Sequence, residues 1–124
     1  MLFRSAARPD AEAAVGKLAK LAAAPVTVLV VSRVDPTAKI PAWEQELSAG
    51  AVCTMLLVAA AAMGFGANWI TDWYAFDANA CAALGLDTGE RVAGFVHIGT
   101  APEAPLERAR PDISTLTTRW MRRS

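Results

Sequence analysis

The feature that most constrains this chain is a stretch without charge: no Asp, Glu, Lys or Arg occurs between Glu46 and Asp72. A run of that length predicts either a helix buried in a protein core or a helix that crosses a membrane. From Ser48 to Gly66 most residues are Ala, Gly or only weakly apolar, and no Lys/Arg cluster flanks the run as it would a membrane helix. We therefore expect a helix buried in a soluble domain or a dimer, and no membrane partner.

The ends of this helix carry boundary signals. Pro41 suits a first helical turn, where its missing N–H would have no partner. Glu44 and Glu46 follow, where the positive end of the helix dipole favours carboxylates. Gly64 fits the left-handed residue that often ends a helix. The pattern predicts a helix from about residue 42 to 63, whose many small residues would admit a second helix or a planar ligand.

Length and composition indicate one domain with a covered surface. The chain has 124 residues, and 54% of them are hydrophobic, which is above the usual share for a globular protein. That excess suggests that a partner covers part of the surface. Residues 108–124 hold five Arg and one Asp, but no basic stripe or helix-turn-helix signature occurs elsewhere, so we expect no nucleic-acid partner.

Cysteine and histidine usage argues against a metal site. Cys53 and Cys81 lie far apart and His97 is the only histidine, whereas metal sites need clustered ligands. Cys53 lies inside the apolar run, as a small core residue would. Two unpaired cysteines and the absence of a signal-peptide core near Met1 predict a reduced, cytoplasmic location.

The remaining elements alternate between helix and strand, which predicts an α/β layered domain, an α+β sandwich with a small mixed sheet. Pro-rich sequence from residue 101 predicts an extended C-terminal tail over 101–124. The expected elements are a helix over 10–24 capped by Asp10, strands over 26–31, 66–71 and 92–98, a helix over 76–84, and a final turn over 113–119.

Four segments, in order and spacing, resemble the nitroreductase family of flavin enzymes. They are Trp43–Gly50, Gly64–Thr71, Val92–Thr100, and a tail containing Arg108–Asp112 and Thr118–Trp120. The resemblance covers roughly residues 22–120. It implies a single, incomplete nitroreductase-like domain over 1–124, corresponding to the C-terminal two-thirds of the family's fold.

The resemblance implies a function as well as a fold. Family members are homodimers with FMN at the subunit interface, and NAD(P)H reduces the flavin in a ping-pong cycle. The flavin then passes two electrons to a small-molecule acceptor such as a nitro compound or a quinone. Because the cofactor carries the chemistry, no catalytic acid, base or nucleophile is expected from the chain.

The resemblance further implies where the cofactors bind. Small residues at the end of the long helix would lie toward the nicotinamide nucleotide, a strand end would contact FMN partly through its backbone, and a tail arginine would pair with the FMN phosphate. The residues toward the nicotinamide nucleotide are Ala59, Ala60, Ala61, Ala62, Met63 and Gly64. The strand end that contacts FMN is Trp69, Ile70 and Thr71. The phosphate partner is Arg110 or, as second choice, Arg108.

Each assignment has an ordinary structural alternative. Trp69 could be a core aromatic, the small residues could serve helix packing, and the arginines could be solvated. Trp73 and Tyr74 could line an acceptor pocket or be interface aromatics. His97 is expected to pair with a neighbour within its strand rather than to act in catalysis.

One departure from the family pattern raises a second hypothesis. Family members carry an N-terminal Arg-rich motif, similar to Arg-Arg-Ser, that grips the FMN phosphate, and Arg4-Ser5 is too short and wrongly placed to replace it. A start site assigned too late, a fragment of a longer gene, or a true short form would each explain this. Lost charge-assisted hydrogen bonds, at about 1.5–3 kcal/mol each, would weaken FMN binding. The alternative function is a non-catalytic dimerisation or interaction module that binds no flavin.

Overall fold

The computed structural model describes residues 11–121 of the chain. The long helix is present at its predicted position, and each predicted strand is present with ends shifted by only a few residues. The helix expected over 10–24 is divided into an α-helix and a 3₁₀ helix, and its expected cap, Asp10, lies outside the described residues. The elements are α1 (Ala11–Lys17), a first 3₁₀ helix (Leu18–Ala22), β1 (Val26–Arg33), α2 (Ala42–Ala62), β2 (Gly66–Ile70), a second 3₁₀ helix (Trp73–Ala75), α3 (Ala78–Ala83), β3 (Glu90–Gly99) and α4 (Ile113–Leu116).

The three strands form one sheet in the order β1-β3-β2, and β3 is antiparallel to both neighbours. The expectation of a mixed sheet is therefore wrong for the described residues. The alternation of helix and strand does produce a β1–α2–β2 crossover between two strands of the same direction. The central place between them, however, is taken by β3, which runs the opposite way. Val96 on β3 consequently pairs with both Val28 and Trp69.

Apolar side chains pack on both faces of this sheet. On one face Val30 and Val96 pack with Cys53 of α2, and Cys53 and Val96 are fully buried. On the other face Phe95 packs edge-to-face with Tyr74, with 5.1 Å between ring centroids. Such aromatic pairs add stability beyond their buried area. The sheet therefore lies between α2 and a layer formed by the shorter helices.

The burial of α2 differs from the expectation. Within this chain only Cys53 and Ala60 of its 21 residues are buried, so the prediction of a buried central helix holds for one face alone. The opposite face is apolar and open; Trp43 and Met55 are 62% and 63% exposed. Because the helix is apolar all round, a single sheet covers only part of it. By length and composition alone, α2 is also the one helix among the described residues that could cross a membrane.

The carboxyl end of α2 is capped by Gly64, as its sequence predicted. Gly64 has φ of +83°, a left-handed conformation that glycine adopts without steric cost. The N–H of Gly64 donates to the carbonyl of Ala61, and the N–H of Phe65 donates to that of Ala60. This is a Schellman motif, and it turns the chain directly from α2 into β2. At the other end Pro41 precedes the first helical residue rather than occupying the first turn.

The tail leaves the sheet after Gly99 and is exposed over residues 100–121. Only the short α4, capped by the Asp112 side chain through Ser114 N–H, interrupts its extended course. Its apolar residues, which include Leu106 at 97% exposure and Trp120 at 84%, face solvent in the single chain.

Candidate cofactor site

The first predicted flavin contact, Trp69, lies on β2 and packs across the central strand. The register between β1 and β3 shifts after Val30, which leaves Ala93 as an extra residue on β3. The indole Nε1 of Trp69 donates to the carbonyl oxygen of Ala93 at 3.2 Å. Its ring lies over Gly94, where any Cβ atom would overlap the indole. The bulge and the glycine therefore hold the side chain of Trp69 against the sheet, and its backbone remains on the edge strand.

The edge position of β2 makes its backbone available. Among residues 11–121, β2 pairs with β3 on one side only, so the N–H and C=O groups of alternate residues point away from the sheet. Ile70 is the last paired residue, opposite Phe95, and Thr71 beyond it is exposed. A planar ring with hydrogen-bonding edges, such as the flavin of FMN, fits a strand end with free backbone groups and little bulk.

Immediately after Thr71, an acidic residue fixes the chain, and sequence reasoning missed it. Asp72 Oδ1 accepts from the N–H of Trp73 at 2.8 Å, and Asp72 Oδ2 accepts from Lys20 Nζ at 3.0 Å. The Trp73 N–H and then the Lys20 ammonium lower the pKa of Asp72 below its usual range. An Asp between a strand and a helical turn is a recognisable capping signal. The distant lysine was not predictable from local pattern.

The small residues at the end of α2 do not join this strand end in the single chain. The indole of Trp69 lies near Gly50, 3.8 Å from where a Cβ would stand, in the first half of the helix. Ala59–Gly64 lies at the other end of α2, where the chain turns into Gly66. Ala60 is buried, whereas Ala59, Ala61, Ala62, Met63 and Gly64 are exposed.

The tail arginines are likewise separate from β2 in every contact that the structure describes. Arg110 Nε donates to Glu107 Oε1 at 3.3 Å within the tail, and Arg108 is exposed. The described residues leave an exposed strand end at Thr71 that could meet a planar ring. They do not place a cation for the phosphate within one chain.

Two further expectations are settled by burial and hydrogen bonding. Tyr74 is fully buried in the core, so neither of its two alternatives, a place in an acceptor pocket or at an interface, holds within the single chain. It lies inside the second 3₁₀ helix, and its ring packs edge-to-face on Phe95 of β3. Trp73 is half-buried and its Nε1 donates to the carbonyl of Ala14 at 2.8 Å. His97 pairs through Nδ1 with the hydroxyl of Thr27 at 2.8 Å, as expected for a residue held within its strand.

A cavity of about 490 Å³ opens at the opposite end of the sheet from Thr71. Its walls are mainly apolar and include Leu57 and Phe65, and Ala61 is the one predicted site residue among them. The cavity therefore does not coincide with the predicted FMN contacts. Among residues 11–121 no cluster of metal-binding side chains occurs.

The geometry defines an α+β protein in which a long helix crosses between two outer strands and a third strand pairs between them. Residues 2–100 match the nitroreductase family. The chain belongs to that family.

Individual relatives agree with the family match. The chain is 37% identical over 97 residues to a Haemophilus influenzae protein named "Putative NAD(P)H nitroreductase", covering 77% of this chain and 50% of the relative. It is 34% identical over 77 residues to the Escherichia coli K12 protein named "Putative NAD(P)H nitroreductase YdjA", covering 62% and 42%. The chain thus spans about half the length, or less, of these two relatives.

A solved structure shows the same fold. A nitroreductase-like family protein from Bacillus cereus superposes with a TM-score of 0.75 over 90% of this chain and 60% of that protein, at 24% identity. This likeness supports the fold that the sequence resemblance predicted.

Proposed function

We propose that the protein acts as an FMN-dependent NAD(P)H oxidoreductase that reduces nitro compounds or quinones by two electrons. The observation that carries this proposal is the match of residues 2–100 to the nitroreductase family. The names of the two relatives indicate NAD(P)H as hydride donor. β2 is an edge strand whose last paired residue is Ile70, and the next residue, Thr71, is exposed; this accessible strand end supports the flavin assignment.

In this proposal the chain binds and orients, and bound FMN supplies hydride acceptance and electron transfer. The backbone of Trp69–Thr71 holds the ring, and the bulge at Ala93 keeps the Trp69 indole on the sheet. Arg110, or Arg108, pairs with the phosphate when the tail lies against the site. The small residues Ala59–Gly64 leave space on the nicotinamide side.

We also propose that the functional unit is a cytoplasmic homodimer. The open face of α2 is apolar, with Met55 and Val58 more than half exposed, and the tail exposes the apolar side chains of Leu106 and Trp120. Burial of such a face is worth about 25 cal/mol per Å². The opposite face of α2 packs on the sheet, and Arg91 Nη1 pairs with Glu46 Oε1 at 3.1 Å near its start. Because one face of α2 is already part of a protein core, we expect a protein partner rather than lipid on the other face.

The first experiment asks whether the purified chain binds flavin. We expect a yellow protein with flavin absorbance, or uptake of added FMN with a change in flavin fluorescence. NADH or NADPH should then be oxidised in the presence of a quinone or nitroaromatic acceptor. A colourless protein that takes up no FMN would contradict the proposal.

A substitution in the tail tests the phosphate assignment. Arg110→Ala should weaken FMN binding, since a charge-assisted hydrogen bond contributes about 1.5–3 kcal/mol. Arg119→Ala, which removes another exposed tail arginine, is the matched control and should leave FMN affinity unchanged. Equal FMN affinity in Arg110→Ala and the wild type would remove Arg110 from the site.

The alternative function is a dimerisation or interaction module without flavin. It is favoured by the pairing of Arg110 with Glu107, which leaves the phosphate without a placed cation in the single chain. This alternative expects a colourless dimer with no NAD(P)H oxidation. The flavin titration separates the two functions.

A further inference from the structure

A polar junction joins the first two helices to the chain just beyond β2. Asp72 faces two lysines, with Lys20 Nζ at 3.0 Å from Oδ2 and Lys17 Nζ at 3.6 Å from Oδ1. Only 10% of the Asp72 side chain is exposed, whereas both lysine side chains are half exposed. The neighbouring Trp73 adds a hydrogen bond from Nε1 to the carbonyl of Ala14. The carboxylate thus lies largely out of water, with its charge matched by the lysines.

This junction lies next to Thr71, which has no partner in the strand pairing between β2 and β3. Thr71 follows Ile70, the last residue paired with β3, and it is exposed. On its other side, Asp72 caps the second 3₁₀ helix through the N–H of Trp73. The backbone of Thr71 is therefore held between the sheet ladder and the ion-paired carboxylate. Loss of the second restraint would leave a frayed strand end.

We propose that Asp72 is a positioning residue that fixes the backbone of Ile70 and Thr71 for the flavin ring, through its ion pairs with Lys20 and Lys17. This inference rests on the proposed flavin function. A backbone already fixed in the binding geometry loses less conformational entropy when a ligand binds. Asp72 need not touch the ligand for this effect.

Asp72→Asn separates the ion pairs from the cap. The amide oxygen still accepts from the Trp73 N–H, while the charge that faces Lys17 and Lys20 is lost. Asp77→Asn is the matched control, because Asp77 caps α3 by accepting from Asn79 and Ala80 N–H. No ion pair to Asp77 occurs in the described part of the chain.

The measurement compares riboflavin, which has no phosphate, with FMN. Asp72→Asn should weaken both ligands by the same factor, roughly tenfold, or about 1.4 kcal/mol, because the ring is affected. Arg110→Ala should weaken FMN and leave riboflavin unchanged. The double variant Lys17→Met/Lys20→Met should reproduce Asp72→Asn, and Lys20→Arg should bind both flavins like the wild type. A fall in FMN affinity alone in Asp72→Asn would overturn the positioning role.

Amide hydrogen exchange supplies a readout that needs no flavin. The N–H groups of Trp73 and Ala75 both donate to Asp72. Exchange at these two amides should accelerate in Asp72→Asn and stay at the wild-type rate in Asp77→Asn. Unchanged exchange, or faster exchange with unchanged riboflavin affinity, would overturn the proposal. If the wild type binds neither flavin, the proposed function fails and the positioning role fails with it. If the wild type and Asp77→Asn bind riboflavin and Asp72→Asn does not, the proposed function and the positioning role are both supported.

Discussion

The indole of Trp69 lies directly over Gly94, and no side chain larger than hydrogen can occupy position 94 without displacing it. The bulge at Ala93 supplies the carbonyl that the indole N–H needs. β-Bulges next to functional sites often re-aim a side chain in this way. The position of Trp69 is thus set by the backbone of its partner strand.

Gly94→Ala should therefore move Trp69 and destabilise the fold. Overpacking of this kind costs about 1–3 kcal/mol, and the displaced indole should show altered tryptophan emission. Urea unfolding and fluorescence spectra measure the two effects. Gly16→Ala is the control, since in the described part of the chain no atom beyond its own helix backbone and its chain neighbours lies within 4 Å of a Cβ added there. Because Gly16 lies inside α1, its replacement by Ala should stabilise by about 0.5–1 kcal/mol. An unchanged stability in Gly94→Ala would contradict the packing described.

Acid should destabilise the fold partly through Asp72. Its pKa in the folded chain is lowered, first by the Trp73 N–H and next by Lys20. The folded state then binds a proton less readily than the unfolded chain, whose Asp pKa is about 3.9. This stabilisation is present above that value and is lost as the pH falls through the lowered pKa.

Urea unfolding of wild type and Asp72→Asn between about pH 5 and pH 2 measures this contribution. The free energy of unfolding of the variant should depend less steeply on pH than that of the wild type. Identical slopes would show that folding does not lower the pKa of Asp72 in solution.

The two cysteines should respond differently to replacement by serine. Cys53 is fully buried against Val30 and Val96, so Cys53→Ser leaves a hydroxyl in apolar surroundings at a cost of about 1–3 kcal/mol. Cys81 Sγ already approaches the carbonyls of Tyr74 and Ala75 at 3.7 and 3.5 Å. A serine hydroxyl there can donate to the same oxygens, so Cys81→Ser should change stability little. Thermal unfolding of both variants checks the order.

The two thiols should also differ in reactivity. Burial raises the pKa of both Cys53 and Cys81, and the thiolate is the reactive form. Iodoacetamide should label both slowly at pH 7, and Cys81, which is partly exposed, should react before Cys53. Faster labelling of Cys53 would mean that α2 leaves the sheet readily in solution.

The open face of α2 should control the oligomeric state. Met55→Glu places a charge in the middle of this face and should convert a dimer to a monomer. Thr88→Glu, on an exposed loop, should leave the mass unchanged. Sedimentation velocity measures both. A wild type that pellets with lipid vesicles and requires detergent would contradict a protein partner for this face.

Sequence alone predicted α2 closely, because a charge-free run, acidic residues at its start and Gly64 at its end all indicate the same helix. It did not predict that β3 would insert between β1 and β2, since periodicity within a strand says nothing about its neighbours. It left Tyr74 between an acceptor pocket and an interface and did not predict its burial in the core, because aromatic residues suit all three environments. The Asp72–Lys20 pair was missed because 52 residues separate its members, and such pairing is a property of the fold.

The β1-β3-β2 order has a consequence for synthesis on the ribosome. β1 and β2 emerge first, yet neither can pair with the other across the empty central place. Val26 meets its partner Ile98 only after the last strand has been made. Contacts between residues so far apart in the chain slow folding. Until β3 has been made, β1 and β2 remain unpaired and expose apolar side chains. The nascent chain should therefore depend on chaperones until β3 clears the exit tunnel.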